Sequence, residues 1–178
     1  MSDEDIDIFK RRKLCVVLNP ASNLKLASGI APVTRFLSEG IDLAIGTDGA
    51  ASNNALDFFR EMYLVTALAK CRESDASVCD ANKVLEMACV GGAKAMGLID
   101  CDCIAAGKKA DMTVINLHRP NMHPLNNISK NIVYAGSKEN VRLTMVNGRI
   151  LYENGEFFIG EDAGKLYAEA DKISEAVR

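Results

Sequence analysis

Hydrophobic positions follow one rhythm through the first part of the chain and another after it. Over 3–13, Ile6 and Phe9, with Leu14 beyond, recur at helical spacing between charges, so a short helix is expected. The run Leu14-Cys15-Val16-Val17-Leu18 is apolar without alternation and stops at Asn19-Pro20. That is the pattern of a strand buried on both faces of a parallel sheet. A helical stretch over 31–38, closed by Gly40, leads into a second such run, Leu43-Ala44-Ile45-Gly46. Strand, helix, strand predicts a βαβ unit with a right-handed crossover. A small polar loop, Gly46-Thr47-Asp48-Gly49-Ala50-Ala51-Ser52-Asn53-Asn54, comes next, and then a helix over 55–70 with Phe59, Met62, Tyr63 and Thr66 on its apolar face. A further helix is expected over 81–89, broken at Gly91-Gly92 and followed by a short one ending at Gly97.

After that the chain turns β-rich, in Met112-Thr113-Val114-Ile115, Ile132-Val133-Tyr134 and Val141-Arg142-Leu143-Thr144-Met145-Val146. Asn147-Gly148 joins the last of these to Arg149-Ile150-Leu151-Tyr152, which predicts a type I′ hairpin, because both central residues of that turn need positive φ. Asn154-Gly155 marks the next turn. A terminal helix is expected over 161–178, with Leu166, Ala170 and Ile173 on one face.

Composition narrows the function classes. With 178 residues, 48% hydrophobic and 25% charged, the chain can fill one sizeable core and does not have the profile of disorder. A net charge of −3 argues against nucleic acid, and the one tight basic cluster, Lys10-Arg11-Arg12-Lys13, reads as a solvated helix end. No stretch has the length of a membrane span, and the acidic start Met1-Ser2-Asp3-Glu4-Asp5 is unlike a signal peptide, so a cytoplasmic protein with reduced cysteines is expected. Cys15, Cys79 and Cys89 read as small hydrophobes. Cys101-Asp102-Cys103 lacks the second pair that a metal site of that type requires.

Other polar residues take plain readings. Gly91-Gly92 has no phosphate-loop spacing, and Ser22, Ser28 and Ser52 read as loop hydrogen-bonders. Asp57 and Glu61, four apart, read as solvated helix charges. His118 and His123 lie in a proline-punctuated loop and read as ordinary loop residues.

Ligands in α/β folds bind at the carboxyl ends of strands. Two such ends are polar here, Asn19-Pro20-Ala21-Ser22-Asn23 and Thr47-Asp48-Gly49. Asp48 follows a buried strand directly, with small residues behind it that let an ion or ligand approach. On residue type alone a loop-bracing or capping role weighs more than a metal-binding one.

A resemblance reverses that weighting. Asn19-Pro20-Ala21-Ser22-Asn23-Leu24-Lys25-Leu26-Ala27-Ser28-Gly29-Ile30-Ala31-Pro32-Val33, then residues 46–54 and Glu61-Met62, resemble the amidohydrolase superfamily, as do Gly107-Lys108-Lys109-Ala110-Asp111-Met112-Thr113-Val114-Ile115 and Val146-Asn147-Gly148. Within it the likeness is to 5-methylthioadenosine/S-adenosylhomocysteine deaminases and related chlorohydrolases, and it covers the chain up to about residue 160.

The resemblance implies a (β/α)8 barrel beside a β-sandwich. It also implies one divalent metal, zinc, held by a His-x-His pair, a further histidine and an aspartate after the eighth strand. Asp48 matches that aspartate, both metal ligand and proton acceptor; Asn19 and Asn23 are the substrate-binding candidates. This sequence has no His-x-His and has Leu18 where relatives often carry histidine. The likeness begins just after the sixth barrel strand, which leaves the other ligands upstream.

The expected architecture is therefore α/β. Residues 1–104 form the last two βα units of the barrel, 105–160 the C-terminal strands of the sandwich, and 161–178 a terminal helix. The expected parent activity is hydrolytic deamination of an adenosine-like purine or related heterocycle. Taken alone, the chain is expected to be inactive and to self-associate through open sheet edges. The alternative is a non-catalytic module or relic that lacks the metal site.

Overall fold

A computed structural model of the chain describes residues 2–177. Met1, in the acidic N-terminal segment, and Arg178, at the end of the expected terminal helix, lie outside the described residues. The chain divides into two compact units. One holds the described residues up to Lys108 together with Leu117–Asn140; the other holds Lys109–Asn116 and the described residues from Val141 onward.

In the first unit, helix α1 (Asp3–Arg12) opens with a reciprocal cap: the Ser2 hydroxyl accepts the Asp5 N–H, and the Asp5 carboxylate accepts the Ser2 N–H. Acidic residues in its first turn and basic ones in its last match the helix dipole. Strand β1 (Cys15–Leu18) pairs in parallel with β2 (Asp42–Ile45), with Cys15 opposite Asp42 and Leu18 opposite Ile45. Between them lie α2 (Pro20–Lys25) and α3 (Val33–Ser38). The latter starts later than the pattern suggested, because Pro32 disfavours helical geometry at Ala31 and stands as the cap itself.

Beyond β2, the stretch expected to be loop contains a helical turn, α4 (Ala50–Asn53), before α5 (Phe58–Glu73). Asp57 is not a free surface charge: it caps α5 by accepting the Phe59 N–H at 3.1 Å and the Arg60 N–H at 3.4 Å. The buried face of α5 carries Phe59, Met62, Val65, Thr66 and Ala69. Tyr63, assigned to that face from spacing, is 47% exposed and meets the Tyr134 ring edge-on.

Two further expectations need correction. Gly91-Gly92 does not break the helix. α6 (Ala81–Glu86) continues through a π-turn, Met87–Gly91, into α7 (Gly92–Ala95), with both glycines in helical geometry. A Cβ on Gly91 would overlap the Leu43 carbonyl oxygen, so the glycine lets this helix approach the backbone of β2. Ile132-Val133-Tyr134, expected to be β, lies in α8 (Ile128–Ala135), whose cap Asn127 accepts the Lys130 N–H. Burial of Val133 on one helical face outweighs the strand preference of β-branched residues, which is itself largely a packing preference.

Phe36, Leu43, Val65, Val84, Met87 and Val133 are among the buried core side chains, each contributing about 1.5–3 kcal/mol when fully removed from water. Cys79 belongs to this core, and burial pushes its thiol up to about 11. Because the thiolate is the reactive form, iodoacetamide at about pH 8 should modify the exposed Cys71 and Cys103 in the folded chain and Cys79 only on unfolding. Peptide mapping reads this directly, and native labelling of Cys79 at the rate of the other two would show that the core opens.

The second unit is an antiparallel sheet of β3 (Met112–Ile115), β4 (Val141–Val146), β5 (Arg149–Glu153) and β6 (Glu156–Phe157), in that order. Asn147 and Gly148 have φ of 49° and 78°, as the β4–β5 hairpin turn requires. Asn154 and Gly155 repeat the device between β5 and β6, where Tyr152 packs on Phe157. A helix, α9 (Ala163–Ala176), follows, capped by Asp162. Among the described residues no helix is long and apolar enough to cross a membrane.

Candidate functional site

β1 and β2 end side by side, and the Gly46 N–H donates to the Leu18 carbonyl at 2.9 Å, extending the pairing one residue past β2. Asp48 follows at φ 59°, a left-handed conformation that aspartate tolerates better than most side chains. It is exposed, at the carboxyl end of the strand and outside any helix.

Three donors hold its carboxylate. The Ser22 hydroxyl reaches Oδ2 at 2.6 Å, the Ser52 hydroxyl reaches the same oxygen at 2.7 Å, and the Gly49 N–H reaches Oδ1 at 2.8 Å. These bonds, the Ser22 one first, hold the carboxyl below its ordinary range. A depressed folded-state value means that the bonds add stability above the ordinary carboxylate range, and that the gain is lost as pH falls through the depressed value. Two hydroxyls occupy Oδ2, whereas Oδ1 has one donor among the described residues and keeps capacity for another partner.

α2 and α4 are tied together by further bonds. The Lys25 ammonium of α2 donates to the Ala51 carbonyl at 3.1 Å and to Asn54 Oδ1 at 2.5 Å. Glu61 is fully buried, against the expectation of a solvated helix charge. Its Oε2 accepts the Ala21 N–H at 2.9 Å, and its Oε1 accepts from the Asn53 amide at 2.7 Å. The signal for this was present in the spacing: Glu61 stands one turn before Val65, on the buried side of α5.

Ser22 and Ser52 are hydrogen-bonders, as read from sequence, but they stand in α2 and α4 and not in loops, with Asp48 as their shared acceptor. Asn19 and Asn23 are placed differently. Both line a small cavity with Pro20, Ile30 and Val65, and the Asn19 amide donates to the Val17 carbonyl at 3.4 Å. Neither belongs to the set that grips Asp48. No group of three or more His, Cys, Asp or Glu side chains that could hold a metal ion is present among the described residues.

The amidohydrolase family profile matches residues 1–151, and the chain belongs to the amidohydrolase family. It is 45% identical over 157 residues to the 5-methylthioadenosine/S-adenosylhomocysteine deaminase of Nitratidesulfovibrio vulgaris, covering 88% of this chain and 36% of that protein. The crystal structure of an adenosine deaminase from Xanthomonas campestris with bound zinc matches with a TM-score of 0.94 at 35% identity, over 100% of this chain and 40% of that one. A zinc complex of atrazine chlorohydrolase from Arthrobacter aurescens matches with a TM-score of 0.85 at 26% identity, over 97% of this chain and 38% of that one. The chain therefore spans well under half the length of these relatives, and its α/β fold corresponds to that part of them.

Proposed function

We propose that the chain supplies the C-terminal part of a metal-dependent aminohydrolase that deaminates an adenosine-like purine or related heterocycle. In this reading residues 1–104 are the last two βα units of a (β/α)8 barrel, 105–160 are C-terminal strands of a β-sandwich, and 161–178 close the chain as a helix. The observation that carries the reading is Asp48, a carboxylate held ionised by three donors at the mouth of paired parallel strands in an amidohydrolase chain.

The donors present fit one ligand of a divalent metal, not a whole site, since a catalytic zinc takes about three protein ligands. Asp48 would hold the ion, zinc by analogy with the relatives. When bound, the ion makes a water a usable nucleophile near neutral pH. Ser22, Ser52 and Gly49 keep Asp48 charged and aimed, and Asp48 can take up a proton at Oδ1. Asn19 and Asn23 are assigned to substrate, their amides being able both to donate and to accept. The outer edges of β1 and β2 have no strand partner among the described residues, and Val17 on β1 is 47% exposed, which favours self-association of the isolated chain. The whole protein is read as cytoplasmic.

The test is deamination of adenosine and 5-methylthioadenosine by the purified chain, alone and mixed with the N-terminal part of the Nitratidesulfovibrio relative, with zinc content measured in both. Turnover and stoichiometric zinc are expected only in the mixture. Turnover by the chain alone would overturn the one-ligand reading.

A further inference from the structure

We infer that Glu61 is a positioning residue for Asp48: its buried carboxylate joins α2, after β1, to α4, after β2, so that Ser22 and Ser52 converge on one oxygen of Asp48. The inference rests on the reading of Asp48 as the functional carboxylate.

A carboxylate with no exposed surface must have its oxygens satisfied, and where those oxygens are spent shows what the group is for. Oε2 accepts the N–H of Ala21, the residue immediately before Ser22. Oε1 accepts from Asn53, the residue immediately after Ser52. Each oxygen therefore fixes the neighbour of one of the two hydroxyls that meet at Asp48 Oδ2. The Asn53 amide also donates to the carbonyl of Thr47, the residue immediately before Asp48, at 2.6 Å. Arg60 completes the set, donating to Asn53 Oδ1 and standing 3.9 Å from Glu61. Ser22 and Asn53 are themselves buried, so these bonds compete little with water.

A helix residue needed only for packing would not have to address these particular neighbours. Thr66, equally buried one turn beyond Met62, spends its hydroxyl on the Cys79 carbonyl and the Tyr134 hydroxyl, away from α2 and α4. It supplies the control. Glu61→Gln keeps the shape of the side chain but turns one acceptor into a donor, which must face either Ala21 N–H or the Asn53 amide, so one tie breaks.

The test uses the uniformly ¹³C-labelled chain at neutral pH, reading the side-chain carboxyl resonance of Asp48, which responds to the hydrogen bonds donated to it. Glu61→Gln is expected to shift this resonance away from its wild-type position and to speed exchange of the Ala21 amide. Thr66→Val is expected to lower the thermal midpoint while leaving the Asp48 resonance in place. An Asp48 resonance that moves no further in Glu61→Gln than in Thr66→Val overturns the inference. If Glu61→Gln does not fold, Asn53→Ala, which removes one tie and leaves Glu61 with Ala21 and Arg60, must produce the shift, and an unmoved resonance there overturns it equally.

In the mixture with the N-terminal part of the relative, Glu61→Gln should lower kcat on the order of 10²-fold, the scale of a small misplacement of a reacting group, with KM within about twofold. The resonance needs neither metal nor substrate. Its failure to move therefore removes the role of Glu61 and leaves the deaminase reading standing. A shifted resonance in Glu61→Gln, together with no turnover by the wild-type mixture, removes the deaminase reading and leaves the positioning role.

Discussion

On the proposed reading of Asp48, Asp48→Asn is expected to lower kcat of the mixture on the order of 10²–10⁴-fold, the range for losing a positioned general acid or base, and to lower its zinc content with it. Asparagine preserves the outline of the side chain. Its carbonyl oxygen can still accept from the two serines, but the negative charge and the proton acceptor are gone. Asp48 is exposed, so the stability its ionised carboxylate adds is small and the thermal midpoint should fall only slightly, which separates a chemical effect from unfolding. Wild-type turnover in the variant would remove Asp48 from the chemistry and return it to the loop-bracing role that its three donors alone would support.

The largest stability effect is expected at Gly91. In an ordinary helix, Gly→Ala stabilises by roughly 1 kcal/mol. At Gly91 the added carbon would overlap the Leu43 carbonyl oxygen and lie 3.1 Å from Leu43 C and 3.4 Å from Ala44 Cα, all of them backbone atoms of β2. Gly91→Ala should therefore destabilise by about 1–3 kcal/mol, the usual range for overpacking. Gly92→Ala, with nothing within 4 Å of the new carbon, should instead stabilise. Urea midpoints of the two variants decide the matter, and stabilisation by both would show that the π-turn Met87–Gly91 does not press on β2.

The parts of the fold legible in the sequence are those where a local rule and the tertiary structure agree. The apolar runs at 14–18 and 43–46 become β1 and β2, but only β2 is buried as the runs implied, since Val17 on β1 is exposed. Asn147-Gly148 is legible because its turn needs two positive φ values and these residues supply them at little cost. Asp48 is legible as a candidate from its place after a buried strand, but its grip by Ser22 and Ser52 joins residues that sequence order keeps apart.

The misreadings come from residues whose meaning depends on what lies across from them. Glu61 has the chemistry of a surface charge until Ala21 and Asn53 are brought to it. Gly91 looks like a helix breaker until Leu43 stands against it. Ile132 and Val133 read as strand because β-branched residues suit both a sheet and one face of a packed helix.

The bonds that seat Asp48 span short stretches of chain: 26 residues from Ser22, four from Ser52, and 40 between Ala21 and Glu61. The entropy of closing a loop grows only with the logarithm of its length, and contacts of this range close early relative to distant ones. The residues of the seat all lie within one contiguous stretch of polypeptide, 21–61. On the proposed deaminase reading, recovery of activity on mixing is expected to be bimolecular, its rate rising with protein concentration, since no distant segment is needed to shape the Asp48 seat.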